Sequence, residues 1–469
     1  MLLYNSLTHQ KDEFQTREPN KVKMYTCGPT VYHFAHIGNL RTYMMEDVLE
    51  KYLNYTGYQV MRIMNITDVG HLTSDGDTGD DKMLKGAKRE HKTVMEIAQF
   101  YTDAFFADCD KLNIKKPEYI QPATGCISEY IHMIETLLQK GYAYEAGGNI
   151  YFDTAKLDQY YRFHDFKEED LAVGVREGVE GDENKRNKAD FVLWFTKSKF
   201  DDQELKWDSP WGIGYPGWHI ECSCISMKFA GEYLDLHCGG IDNAFPHHTN
   251  EIAQSEAYLG HEWCPQWFHV LHLNDETGKM SKSKGEFLTV SLLEQKGFSP
   301  LAYRFFCLQS HYRKTLVFSW ENLKNAQIAY DKLIAKIGSL LNTQDAVDDV
   351  KKAELLGGFI AAMDNDLNTA QAITVLYDIL KADTTAATKL ACIAEIDKVF
   401  SLNLIENAKA IGEDAAEPEI PAEVLALVEQ RKEACKAKDF ALADALRDQI
   451  ATLGWQIRET RQGTEITKL

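Results

Sequence analysis

A divided α/β fold with a parallel sheet, followed by a helical bundle and a small C-terminal module, is what this sequence predicts. Three observations carry that expectation. Residues 21–67 read strand, helix, strand, which is a βαβ unit. After a highly charged, aromatic-poor stretch at 165–190, the buried pattern restarts at FVLWF (191–195), and a second α/β half runs to about residue 305. From 320 to 403 the apolar spacing is helical almost throughout.

Taken in order, KVKMYTC (21–27) is a strand stopped by Gly28-Pro29, TYMMEDVLEKYLNYTG (42–57) a helix stopped by Gly57, and YQVMRIMNIT (58–67) a strand. Parallel sheets present ligands at the carboxyl ends of their strands, where Cys27 and Asp68 fall. A polar loop (68–82), a helix over 86–108 and a helix within 123–148 follow, then the strand in GGNIYFDT. The 165–190 stretch reads as a solvated insertion. In the second half, YLDLHCGG and FHVLHLN are strands, a helix begins around Pro246, and GKMSKSKG is a loop before a helix at 288–295. Residues 406–421 read as an acidic, proline-bearing linker. Two short helices then join near Ala437-Lys438-Asp439. The expected divisions are 1–120 and 191–305 (the two halves of the α/β fold), 121–190 (an insertion), 306–405 (a bundle) and 406–469 (a C-terminal domain).

The chain has 469 residues, too many for one core, and its 44% hydrophobic and 26% charged composition is that of a globular enzyme. No apolar run is long enough for a membrane span, and MLLYNSLTHQKDEF lacks the features of a signal peptide. Ten scattered cysteines without a C-x-x-C pair argue for a reducing compartment, hence a cytoplasmic protein. The formal net charge of -20 argues against a nucleic-acid partner overall, although a local basic face can still bind a polyanion. The tail supplies Arg431, Lys432, Lys436, Lys438, Arg447, Arg458, Arg461 and Lys468, and Trp455 is either a stacking platform or a core residue.

Three groups of residues suggest chemistry. His247 and Glu251, at i and i+4, share one helix face, and with Cys27 and Cys222 they make a donor set that suits zinc. His248 competes with His247, and Cys224 and Cys238 compete with Cys222; spacing does not choose among ligands from distant loops. His36 and Gly38 stand just before a helix, where an N-terminus favours phosphate. Lys279, Lys282 and Lys284 lie on a Gly- and Ser-rich loop suited to a departing pyrophosphate. The Walker pattern is absent.

YTCGPTVY, HIGNLRT, NITDV, DFVLW, SPWGIGYPGWHIECS, FPHHTNEIAQS and GKMSKSKGEF, in that order, resemble the bacterial cysteinyl-tRNA synthetases, a class I aminoacyl-tRNA synthetase family, over essentially the whole chain. The resemblance implies a Rossmann-like catalytic domain with an inserted segment, then an all-α bundle and a small anticodon-binding domain. It implies zinc on Cys27, Cys222, His247 and Glu251. It also implies ATP, with Mg²⁺, on His36, Gly38, Asn39, Lys279, Met280, Ser281, Lys282 and Ser283, with His36, Lys279 and Lys282 catalytic. Asn39 replaces the last histidine of the H-I-G-H signature. Gly28, Thr67, Trp218 and Asp242 match substrate-pocket positions, Cys238 replaces a glycine, and D-A-L-R at 444–447 matches the family's anticodon-binding signature. The implied partners are L-cysteine, ATP and tRNA(Cys), and the implied state is a monomer. Two other readings are a cysteine ligase acting on an amino sugar and a non-catalytic, zinc-stabilised RNA-binding protein.

Overall fold

The computed structural model describes residues 1–69, 93–163, 183–197, 205–275, 278–279, 287–414, 421–437, 439–460 and 463–468. They form two compact units, 1–405 and 406–469. Most of the polar loop after Asp68, most of the 165–190 insertion, and Met280, Ser281, Lys282 and Ser283 lie outside the described residues.

In the first unit, β1 (Leu2–Asn5) and β2 (Gln10–Glu13) form an antiparallel hairpin. β3 (Lys21–Thr26), α1 (Ile37–Tyr55) and β4 (Gln59–Ile66) are the expected βαβ unit, with Tyr25 opposite Ile63. α1 begins earlier than its apolar spacing predicts. His36 caps it, Nδ1 accepting from the Gly38 N–H at 3.0 Å, so Gly38 and Asn39 lie inside the first turn. α2 (Val94–Lys111) starts at a reciprocal Thr93–Glu96 capping box, and β5 (Tyr119–Pro122) pairs parallel to β4.

α3 (Ile127–Gln139) leads into a hairpin, β6 (Ala143–Ala146) and β7 (Asn149–Phe152), where the sequence predicts a single strand. β8 (Phe191–Phe195) and β9 (Tyr215–Pro216) extend it into a four-stranded antiparallel sheet, which crosses the division expected at residue 190. FVLWF is wholly buried, but its backbone pairs with β7 rather than with the main sheet. α4 (Trp218–Ala230), β10 (Leu236–Gly240), α5 (Thr249–Leu259) and β11 (Trp267–Val270) follow.

The main sheet is parallel, in the order β11-β10-β3-β4-β5. β4 flanks β3 on one side and β10 on the other, so the chain order reverses there. Such a reversal opens a crevice at the strands' carboxyl ends. β12 (Leu273–Asp275) and β13 (Gly278–Lys279) form a hairpin; α6 (Val290–Gln295) and α7 (Pro300–Leu308) follow; β14 (Leu316–Val317) then pairs parallel to β12. The helical stretch resolves into α8 (Trp320–Gly338), α9 (Asp349–Asp364), α10 (Thr369–Lys381) and α11 (Ala386–Phe400).

The expected linker is partly helix. α12 (Leu404–Asp414) runs through Glu406, with Leu404 and Ala408 buried. In the second unit, α13 (Ala422–Lys436) and α14 (Phe440–Thr452) join where expected, and β15 (Trp455–Thr460) and β16 (Gly463–Lys468) add an antiparallel hairpin that no alternation signals. Trp455 is buried against Val424, Val428 and Ile450, which makes it a core residue and not a base platform.

Candidate active site and metal centre

A cavity of about 400 Å³ opens at the β3/β10 switch point. Nine of the residues expected at the site line it: Cys27, Gly28, His36, Gly38, Asn39, Trp218, Cys222, Asp242 and His247. Each arrives from a different local cause. Cys27 and Gly28 follow β3 directly. A Cβ on Gly28 would stand 1.7 Å from the Asn65 carbonyl oxygen, so only glycine lets β3's exit lie against β4. His36, Gly38 and Asn39 come with the start of α1, whose positive dipole end favours an anion. Cys222 projects from the second turn of α4. His247 precedes α5, whose first turn carries Glu251.

The four expected donors converge. Cys27 Sγ and Cys222 Sγ are 3.9 Å apart, Cys222 Sγ and His247 Nε2 3.4 Å, His247 Nε2 and Glu251 Oε1 3.0 Å, and Cys27 Sγ and Glu251 Oε1 3.9 Å. All four are buried. Bond lengths of 2.0–2.3 Å around tetrahedral zinc give donor–donor edges of roughly 3.3–3.8 Å. The cluster therefore matches a zinc–thiolate site in both donor type and size.

The electrostatics agree. Against burial, the Glu251 charge raises His247 to about 10. Burial first, then the Cys222 sulfur, pushes the Cys27 thiol up. Burial also opposes the Cys222 thiolate, but the Cys27 thiol and His247 outweigh it and hold Cys222 below its usual range. A divalent cation would meet the negative charge that a proton on His247 meets here.

A second set, Cys27, His237, His248 and Glu251, shares two of these donors. His248 Nε2 is 3.3 Å from Cys27 Sγ, and its Nδ1 is 2.7 Å from His269 Nε2. Neither His237 nor His248 lines the cavity, whereas Cys27, Cys222 and His247 do. The first set also has two soft donors to the second's one. Cys224 points away, against Met133, and Cys238 is buried within β10 opposite Thr26 and Phe268, so both are packing residues.

Two expected site residues stand apart from this picture. Thr67 does not line the cavity. It is buried, its hydroxyl donates to Glu221 at 2.8 Å, and its backbone ties β4's end to Pro29 and Val31. Lys279 lies in β13 by its backbone.

Three histidines at the site, His219, His237 and His272, were not singled out from the sequence. Trp218 lies tilted against His247, with ring centroids 4.2 Å apart, and His219 Nδ1 faces His247 Nδ1 at 2.9 Å. His237 Nε2 holds Glu251 Oε2 at 2.8 Å, and His272 Nδ1 lies 3.3 Å from Asp242 Oδ2. His219 stands one turn before Cys222 on α4, an i, i+3 spacing that could have flagged it, whereas His237 in β10 and His272 before β12 have no sequence spacing that links them to the cluster.

Residues 13–328 match the family model for the class I (C) tRNA synthetase catalytic domain, 358–400 the DALR domain, and 417–466 the cysteinyl-tRNA ligase anticodon binding domain. The DALR match thus falls on α9–α11 and not on the D-A-L-R string at 444–447, which lies inside the anticodon binding match. The cysteine–tRNA ligase of Treponema denticola is 43% identical, with 100% of this chain and 99% of that protein covered. That of Borreliella burgdorferi is 42% identical, with 99% of each covered. Among solved structures, a Mycobacterium tuberculosis methionyl-tRNA synthetase shares the fold at a TM-score of 0.53 and 12% identity, covering 83% of this chain and 90% of that one. With a full-length match of this kind and a four-donor centre at the switch point of its sheet, the chain belongs to the class I cysteine–tRNA ligase family.

Proposed function

We propose that this protein activates L-cysteine with ATP, forming cysteinyl-adenylate and pyrophosphate, and then transfers cysteine to the 3′-terminal ribose of tRNA(Cys). The observation that carries this reading is the Cys27/Cys222/His247/Glu251 cluster, opening into the same cavity as the N-terminus of α1. Zinc bound there supplies a soft Lewis acid that takes a thiolate in preference to a neutral hydroxyl. Cysteine and serine differ by one atom, which a plain pocket separates poorly, so the donor set does the selecting.

The chain's own groups do the rest. The positive dipole end of α1, at His36, Gly38 and Asn39, favours phosphate, and the His36 cap fixes that first turn. Gly28 keeps the end of β3 close against β4 where the cavity opens, Trp218 holds the His247 ring in place, and Asp242 lies where it can take a ribose or amino group. Lys279 and Lys282 meet the charge that grows as pyrophosphate leaves. No protein nucleophile is required, because the substrate carboxylate attacks the α-phosphorus; positioning and charge carry the rate. ATP arrives with Mg²⁺.

Cysteine-dependent ATP–pyrophosphate exchange tests the first half. No exchange in a folded, zinc-loaded preparation leaves the non-catalytic reading. Charging of tRNA(Cys) against an amino-sugar acceptor tests the second half, and the full-length match through the anticodon binding segment supports tRNA. Among the described residues, no helix is long and apolar enough to cross a membrane.

A further inference from the structure

The arginine of HIGNLRT is a buried cation without an acid. Arg41 is 0% exposed, and among the described residues no carboxylate lies within ion-pair distance of it. Its guanidinium is spent on backbone carbonyls instead. Nη1 donates to Leu271 O at 2.5 Å and His272 O at 2.8 Å; Nη2 donates to Lys314 O at 2.8 Å and, more weakly, to His311 O at 3.4 Å. Removing an arginine from water to serve carbonyls alone is costly, so the geometry it fixes is what the arrangement gains.

The two segments it grips are the two strand approaches of the small sheet. Leu271 and His272 lead into β12, and Lys314 leads into β14. The segments also bond to each other, Leu271 N to Tyr312 O at 2.9 Å and Leu316 N to His272 O at 3.1 Å. Leu271, His272 and Leu273 form one wall of the cavity, and His36, Gly38 and Asn39 form another. A second tie runs from the same helix end: Ile37 N–H donates to Leu288 O at 3.0 Å, while Tyr303 Oη donates to Ile37 O at 2.8 Å. The first turns of α1 therefore grip the chain on both sides of the β12–β13 hairpin.

We infer that Arg41 is a positioning residue for the nucleotide: it sets the distance between the α1 phosphate site and the wall at Leu271–Leu273, which carries His272 against Asp242. The planar fork suits this task, since two nitrogens reach two chain segments at once. A lysine ammonium is a point charge and cannot span both. None of Cys27, Cys222, His247 or Glu251 bonds to Arg41, so the cysteine side of the cavity is independent of it.

This inference rests on reading the cavity as an ATP site, so its test has one arm that needs no ligand. In the full-length chain, Arg41→Lys and Arg41→Gln are expected to speed amide hydrogen exchange by about tenfold or more in 271–275 and 312–318, with protection in β3 and β4 unchanged. In ATP–pyrophosphate exchange they are expected to raise the KM for ATP by about fivefold or more and lower kcat, with the KM for cysteine within about twofold and zinc content unchanged. A merely structural role would loosen the whole sheet and move both KM values together, and that result overturns the inference. Unchanged exchange in 271–275 and 312–318 also overturns it. Absence of any cysteine-dependent activity in the wild type would refute the proposed function instead, and the hydrogen-exchange arm would still decide the role of Arg41.

Discussion

Cys222 and Cys224 stand two positions apart, and only one reaches the cavity. Two residues advance a helix by about 200°, so one side chain must face the cluster and the other must turn away, here toward Met133. The sequence showed that phase difference but not which phase faces inward, because the cluster's other members come from β3's end and α5. Family resemblance, not spacing, named the set. Cys222→Ser is expected to lose most of its zinc, since a serine hydroxyl is a poor ligand at a soft site. His247→Ala should behave alike, whereas His248→Ala should keep its metal. Mass-spectrometric metal analysis checks this, and a full complement in Cys222→Ser would sink the assignment. Glu46 was not legible as special. On α1 it is fully buried, neither carboxylate oxygen has a hydrogen-bond partner among the described residues, and Arg62 Nη2 stays 3.9 Å away because Arg62 bonds to Glu50. Burial raises its pKa to about 8, with Arg62 pulling the other way. The folded state then holds a proton that the unfolded state releases above its ordinary value of 4.5, so stability falls as pH climbs from there to about 8. Glu46→Gln should flatten this slope and melt higher than wild type at pH 9; identical pH slopes for the two proteins would refute it.

At the level of elements, the parallel strands and long helices were readable because apolar runs and 3.6-residue spacing survive without tertiary context. The elements that escaped are those defined by pairing: β6 with β7, and β15 with β16. Short hairpins carry little period and depend on the partner strand. The start of α1 escaped for another reason. Its first turn, Ile37-Gly38-Asn39, follows a histidine cap rather than a Ser, Thr or Asp cap. α1 is held to its surroundings by charge as well as by packing. Arg304 on α7 donates to Asp47 on α1 at 2.6 Å, to Phe400 O at α11's end at 2.6 Å and to Leu112 O after α2 at 2.8 Å. Burial alone would raise the Asp47 carboxyl, but Arg304 and Lys51 outweigh it and hold it below its usual value. Its contribution is therefore present at neutral pH and is lost only as pH falls through that lowered value. Arg304→Leu leaves Asp47 buried without its main partner and should cost about 3–5 kcal/mol. Adding Asp47→Asn should recover part of the loss. Urea unfolding of the single and double variants measures both, and a single variant as stable as wild type would show that the pair does not hold α1 in place.

For the whole molecule, the question is how a chain with a net charge of -20 handles a polyanion. Residues 421–469 carry eight Lys and Arg against eight Asp and Glu, so the entire excess of negative charge lies elsewhere. Three of those cations pair with acids one turn away: Lys432 with Glu429, Lys436 with Glu433 and Arg447 with Asp444. Exposed pairs of this kind are worth little and open readily to a phosphate. Residues 421–469 are thus a neutral segment of an acidic chain, which repels nucleic acid less than the chain's average does, and they have their own core around Val424, Val428, Ile450 and Trp455. Where to cut was only partly legible. Proline and acidic residues pointed to a linker from 406, but α12 is continuous to Asp414, so a cut at 409 would sever a helix. Removing 415–469 instead should leave cysteine-dependent ATP–pyrophosphate exchange within about twofold of wild type, because the cavity and its four donors lie wholly in the first unit. Aminoacylation should lose about a hundredfold or more in kcat/KM for tRNA, and its rate should depend less steeply on salt once phosphate contacts are gone. Both activities are measured on the same truncated preparation, with zinc content as the check on folding. Charging at full kcat/KM would mean that the second unit does not read tRNA. Loss of pyrophosphate exchange with zinc retained would mean that activation is not confined to the first unit.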